Sequence, residues 1–238
     1  MALRDAGPDV TGATVLIDLW LWPLDCGTVE AERRATLLTE AEGARADRLN
    51  KERDRIRFIA GRSRLREILS DYAGTAAASL PLQEGQNGKP VLPGGPVFNL
   101  SHASGLAALA ITADTSVWLG VDIEGARAVD PGLDAHVFAP EERAALHSVD
   151  KSAHDWAFFL GWTRKEAVVK ATGEGLCADL QSFAVTLDPA LPPRLLRIDG
   201  DGPGPGAWRL YDFRPRDDLA GTIAAMTGGR EILVNCRT

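Results

Sequence analysis

Cysteine is scarce in this chain of 238 residues: Cys26, Cys177 and Cys236 are all it has, an odd number with no C-x-x-C pair. That excludes a disulfide scaffold and a zinc framework, and reduced structural cysteines in a cytoplasmic protein are the expectation. No apolar run is long enough to span a bilayer; the first, Val15 to Leu24, is short and contains Asp18 and Pro23. The opening residues, Met1 to Asp5, lack the charged-then-apolar order of a signal peptide. Positive charge is in deficit, with 26 Lys and Arg against 33 Asp and Glu, a balance of −7. Such a chain does not coat nucleic acid. There is no P-loop, no G-x-G-x-x-G opening a helix and no H-E-x-x-H. A P-loop kinase, a dinucleotide enzyme and a zinc hydrolase all lose ground.

What remains is a globular composition, 45% hydrophobic and 25% charged. The length suits one compact unit of two closely packed parts. Alternation over Thr14–Leu21 predicts a strand, with Val15, Ile17, Leu19 and Leu21 on one face. Thr39 followed by Glu42 resembles a capping box, and a single long helical pattern runs from there to about Tyr72, where Gly74 stops it. Further strands are expected at Phe98–Leu100, Ala107–Thr112, Val117–Glu124, Phe183–Leu187, Trp208–Phe213, Thr222–Met226 and Ile232–Val234, and helices at Pro140–Leu146 and Trp156–Ala171. Five prolines and four glycines between Pro189 and Gly206 predict a loop. The order implies an α+β fold of two similar halves, residues 1–116 and 117–238.

Four stretches could carry chemistry. In Gly120-Val121-Asp122-Ile123-Glu124 the two carboxylates share one strand face. Side by side they repel unless a cation or proton sits between them, and hard oxygen ligands suit Mg2+. A solvated strand end would show the same pair. In Trp162-Thr163-Arg164-Lys165-Glu166-Ala167-Val168-Val169-Lys170, Trp162, Glu166 and Lys170 share a helix face. The helix is apolar nearly all round, so it is buried and its charges need partners; a phosphate with a metal ion would supply them. Phe98-Asn99-Leu100-Ser101-His102 has no nucleophile elbow around its serine, so Ser101 and His102 are either phosphate donors or loop ties. Residues 45–67 hold nine basic and four acidic side chains, hence +5 there and −12 elsewhere. That asymmetry points to an anionic partner, although internal ion pairs account for most of these arginines.

The ordered set Gly88-Lys89-Pro90, Phe98-Asn99-Leu100-Ser101-His102, Gly120-Val121-Asp122-Ile123-Glu124 and Trp162-Thr163-Arg164-Lys165-Glu166 with Lys170 resembles the surfactin-synthetase-type 4'-phosphopantetheinyl transferases. The resemblance spans about Arg45 to Leu176. It implies a pseudo-dimeric α+β monomer that binds coenzyme A (CoA) and Mg2+ between its halves. Such an enzyme moves the phosphopantetheine arm of CoA onto a serine of an acyl or peptidyl carrier protein, releasing 3',5'-ADP. The carriers of polyketide, non-ribosomal peptide or fatty acid synthases are the implied partners, with no nucleic acid and no membrane. It further implies Asp122, Glu124 and Glu166 as metal ligands, and Lys165 and Lys170 as pyrophosphate contacts. Arg57 and His102 fall near the 3'-phosphate, Lys89, Pro90 and Ser101 at the adenosine end, and Arg45 at a further CoA contact. Glu142 matches a glutamate proposed as a base, a role Glu166 or a metal-held water could also fill. Two rivals stand beside this: another Mg2+-dependent nucleotide phosphotransferase, and a non-catalytic CoA- or carrier-binding module. Three converging carboxylates argue against the module.

Overall fold

The computed structural model describes residues 14–85, 88–175 and 178–237; Met1 to Asp5 and Cys177 lie outside them. Strand β1 (Val15–Pro23) leads into helices α1 (Thr28–Ala35), α2 (Glu40–Asp47) and α3 (Glu52–Ala73). A small hairpin, β2 (Gln83–Glu84) and β3 (Pro90–Val91), precedes β4 (Val97–Ala103), β5 (Leu106–Thr112) and β6 (Trp118–Gly125). Helices α4 (Asp134–Val137), α5 (Pro140–Ser148) and α6 (His154–Thr172) follow. Strands β7 (Phe183–Val185), β8 (Leu195–Ile198), β9 (Trp208–Arg216), β10 (Leu219–Met226) and β11 (Ile232–Arg237) complete the α+β fold.

Two main sheets form, in the orders β11-β1-β5-β4 and β6-β10-β9. Between them lies an apolar core shared by both, built from Val15, Ile17 and Leu19, Ala108 and Ala110, Val117 to Ile123 at alternate positions, and Ile223 and Ala225. The alternation read for Val117, Leu119, Val121 and Ile123 thus faces this core, each at most 2% exposed. Helix α3 covers the far side of the first sheet through Leu65, Ile68 and Leu69, and α6 covers the far side of the second through Ala167, Val168 and Ala171. No described helix is long and apolar enough to cross a membrane.

Two expectations are corrected. The long helix is two: the capping box of Thr39 and Glu42 starts α2, which ends at Asp47, and Lys51 takes extended dihedrals before α3 begins. The break lets Glu42 turn back onto Arg62 and Arg66 of α3, an ion-pair contact across elements that helical periodicity does not register. Gly74 does end α3, with φ at 62°. The Pro- and Gly-rich segment is not all loop, since Leu195–Ile198 pairs with β7. The last strand, β11, pairs in parallel with β1, so the first sheet draws on both ends of the chain and a boundary at residue 117 would divide it. Helix α1, absent from the sequence reading, packs through Ala31 against Ile59 of α3.

Candidate active site

Gly120 sets how closely α6 lies on β6. A Cβ there would stand 2.0 Å from the Ala167 carbonyl oxygen and 2.6 Å from the Ala171 nitrogen, both backbone atoms. Only glycine admits that approach. With the helix seated, the polar face of β6 meets α6. Asp122 is 3% exposed. Its Oδ1 accepts from Lys170 Nζ at 2.6 Å and from Ser101 Oγ at 2.9 Å, and Lys170 Nζ also donates to Ser101 Oγ at 3.0 Å. Its Oδ2 is buried with no hydrogen-bond partner.

Glu124, two residues along β6, and Glu166, on α6 one turn before Lys170, are half-buried. All three carboxyls are pushed above the ordinary carboxylate range. Burial is the main cause for each, Lys170 opposes it at Asp122, and the Asp122 charge adds to it at Glu124 and Glu166. Among the described residues no three His, Cys, Asp or Glu side chains form a ready-made metal cage. The donor chemistry nevertheless fits Mg2+, which takes one or two carboxylates and completes its shell with water and phosphate oxygens. The unpaired Oδ2 and the mutual repulsion of these carboxyls are what a cation would relieve.

Three neighbours of Glu166 fix the helix. Thr163 Oγ1 lies 3.0 Å from Thr222 Oγ1, Arg164 pairs with Asp212 at 2.5 Å and donates to the Thr186 carbonyl, and Lys165 pairs with Glu142 at 2.8 Å. Asp122, Thr222 and Asp212 are register partners across β6, β10 and β9, so one row of the sheet receives Lys170, Thr163 and Arg164 in turn.

The structure therefore sorts the expected site residues. Ser101, Asp122, Glu124, Glu166 and Lys170 come together. Lys165 does not join them: it is wholly buried, with Glu142 on one side, the Leu180 and Phe183 carbonyls accepting at 2.7 Å each, and the Phe183 ring beneath it. This corrects its assignment to the pyrophosphate. Glu142 is corrected with it, because its two oxygens accept from the Ala139 and Val185 amides as well, leaving no face for a substrate proton. Ser101 sits against Asp122. Lys89, beside Pro90 of β3, reaches the Leu119 and Lys170 carbonyls and is likewise engaged with the protein; burial lowers it to about 8. Arg57 forms a two-point pair with Asp25, at 2.6 and 2.9 Å, beside Gly105 just beyond β4. His102 is exposed on β4, and Arg45 pairs at the surface with Glu84. The pairings of Asp25, Arg164, Asp212 and Thr222 are non-local and carry no sequence signal.

A cleft of about 470 Å³ opens between β8 and β9, lined by Pro193, Arg194, Trp208, Arg209 and Glu231 among others. None of the residues above lines it.

The family described as "ACPS: 4'-phosphopantetheinyl transferase superfamily" matches residues 119–224. The 4'-phosphopantetheinyl transferase HetI of Nostoc sp. is 33% identical over 224 residues, covering 91% of this chain and 90% of that protein. The 4'-phosphopantetheinyl transferase Sfp of Bacillus subtilis is 27% identical, covering 66% of this chain and 70% of its own. A solved holo-[acyl-carrier-protein] synthase of Thermotoga maritima aligns at a TM-score of 0.37 and 18% identity, over 46% of this chain and 62% of its own.

Proposed function

This chain belongs to the 4'-phosphopantetheinyl transferase superfamily, and from that premise we propose that it is of the surfactin-synthetase type and modifies acyl or peptidyl carrier proteins with the arm of CoA. The observation that carries the site assignment is the Asp122 carboxylate, held on one oxygen by Ser101 and Lys170 and bare on the other.

Asp122, Glu124 and Glu166 would hold Mg2+, which supplies charge neutralisation at the pyrophosphate. The carrier serine oxygen bonds to the β-phosphorus, and the bond from that phosphorus to the bridging oxygen breaks, so that 3',5'-ADP leaves. Lys170, half-buried beside Asp122, would donate to a phosphoryl oxygen as charge builds there. Glu166 is the base we favour. It stands half-buried on α6 one turn before Lys170, on the helix face that carries the site. Glu142, enclosed in its own ion pair, has no part in this. Arg57 and His102 would hold phosphates remote from the attacked one, and the enzyme would act as a cytoplasmic monomer.

The test is mass spectrometry of apo-carrier protein incubated with CoA and Mg2+. A mass gain of one phosphopantetheine arm is expected with the parent and a loss of at least ~100-fold in rate with Asp122→Asn or Glu166→Gln. Parent-like turnover in either variant would remove the site assignment, and no gain on any carrier type would remove the substrate assignment.

A further inference from the structure

Strand β6 is an edge of its sheet: it pairs with β10 alone. The amides that point away from β10 therefore have no ladder partner, yet those of Val121 and Ile123 are buried. A buried amide without an acceptor is costly and rare. Here the acceptors are side chains of β4, the edge of the other sheet. Val121 N donates to Asn99 Oδ1 at 2.8 Å, and Ile123 N to Ser101 Oγ at 3.4 Å. Residues two apart on β4 meet residues two apart on β6, so the spacing of Asn99 and Ser101 copies that of the amides they satisfy.

This is a two-rung seam made of side chains. Direct backbone pairing would set the strands about 4.8 Å apart; interposed side chains hold them wider while keeping a fixed register. Ser101 is fully used, donating to Asp122 and accepting from Ile123 N and from Lys170. Asn99, 4% exposed, is the other rung, and the amide it holds belongs to the residue immediately before Asp122.

We propose that Asn99 is a positioning residue for the transfer reaction: through the Val121 amide it sets where β6 presents Asp122, and fixes the sheet carrying the carboxylates against the sheet carrying His102. The proposal rests on the reading of Asp122 as a cation holder, so Asp122→Asn is run beside the seam variants. Asn99→Leu has nearly the same shape and cannot accept the amide. Asn99→Ser offers a hydroxyl oxygen with the same reach from β4 that Ser101 uses toward Ile123. Ile17→Val, in the core shared by the sheets but taking no part in the seam's hydrogen bonds, reports what ordinary loosening does.

Two measurements decide it, both well below the melting temperature. The first is amide hydrogen exchange without metal or CoA. Val121 N–H should be protected at least ~100-fold over a free amide in the parent, and exchange at least ~10-fold faster in Asn99→Leu while β1 amides keep their rates. The second is steady-state transfer. In Asn99→Leu kcat should fall at least ~10-fold, Asn99→Ser should recover to within about threefold of the parent, and Ile17→Val should keep the parental kcat. A free-amide exchange rate at Val121 in the parent overturns the seam. So does a folded Asn99→Leu with kcat within about twofold of the parent, an Asn99→Ser no better than Asn99→Leu, or an Ile17→Val that loses as much. If Asn99→Leu does not fold, parental exchange and the Asn99→Ser kcat still decide. Normal turnover in Asp122→Asn would remove the cation reading and leave the seam to be judged by exchange alone.

Discussion

Lys165→Met separates a buried structural lysine from a phosphate ligand. Methionine keeps most of the apolar stem and deletes the ammonium. Four interactions go with it: the 2.8 Å pair with Glu142, the 2.7 Å hydrogen bonds to the Leu180 and Phe183 carbonyls, and the cation above the Phe183 ring. Glu142 stays behind, buried and charged, with only the Ala139 and Val185 amides to stabilise it. Removing one partner of such a pair costs about 3–5 kcal/mol. For a chain of this size each kcal/mol moves the melting temperature by about 2–4 °C, so a fall of roughly 6–20 °C is expected. The double variant Lys165→Met/Glu142→Gln should recover much of it, because neither partner is then left charged and alone. The sign with pH follows. Burial already raises the Glu142 carboxyl against the pull of Lys165, and without the lysine it rises further. The folded variant then prefers the protonated acid, so its deficit against the parent should be smaller at pH 5 than at pH 8. Thermal melts at both pH values, with KM for CoA measured at 25 °C, make the assay. A phosphate contact predicts an unchanged melt and a KM raised tenfold or more, and that result would refute the structural placement of Lys165.

Gly120→Ala should lose transfer and at least about 3 kcal/mol of stability, because the new Cβ meets α6 backbone that has no side chain to move aside; a parental melt would contradict the close approach. Lys89 is lowered by burial to about 8 in the folded chain from 10.5. Between those values the unfolded chain binds the extra proton, so the parent should gain stability relative to Lys89→Met as pH rises from 8 toward 10.5. Urea titrations of both proteins across that range check it, and a gap that narrows with rising pH would count against it. Arg57→Ala and His102→Ala should raise KM for CoA and leave kcat nearly unchanged, since contacts to remote phosphates are alike in ground and transition states. The Arg57–Asp25 pair is largely exposed and worth about 1 kcal/mol or less, so the melt should scarcely move; a fall in kcat alone would reassign both residues.

Strands β1 and β6 were legible because apolar residues alternate along them, and β5 and β10 because they are short apolar runs buried on both faces. The alternation from Val117 to Ile123 put the apolar residues in the shared core and Asp122 and Glu124 together on the other side. Parallel pairing of β11 with β1 was not legible, since its partners lie at opposite ends of the chain. The four residues of β8 were hidden by the prolines and glycines around them. In α6 the difficulty was of another kind. A helix apolar nearly all round must give every charge a partner, and the sequence does not say whether that partner is substrate or protein. Lys165 and Lys170 look equivalent in the string. In the fold, Lys165 turns to Glu142 on α5 and Lys170 to Asp122 on β6, two contacts across distant parts of the chain.

The same ambiguity runs through Phe98-Asn99-Leu100-Ser101-His102, and there alternation resolves it. Phe98 packs under α3 and His102 is exposed. Asn99 and Ser101, on the other face, complete the hydrogen bonding of β6. A motif of this kind does two jobs at once, carrying a surface histidine and closing the edge of a neighbouring sheet. Those hydrogen bonds tie the strand of Asp122 to the strand of His102, so a change in either strand reaches the other.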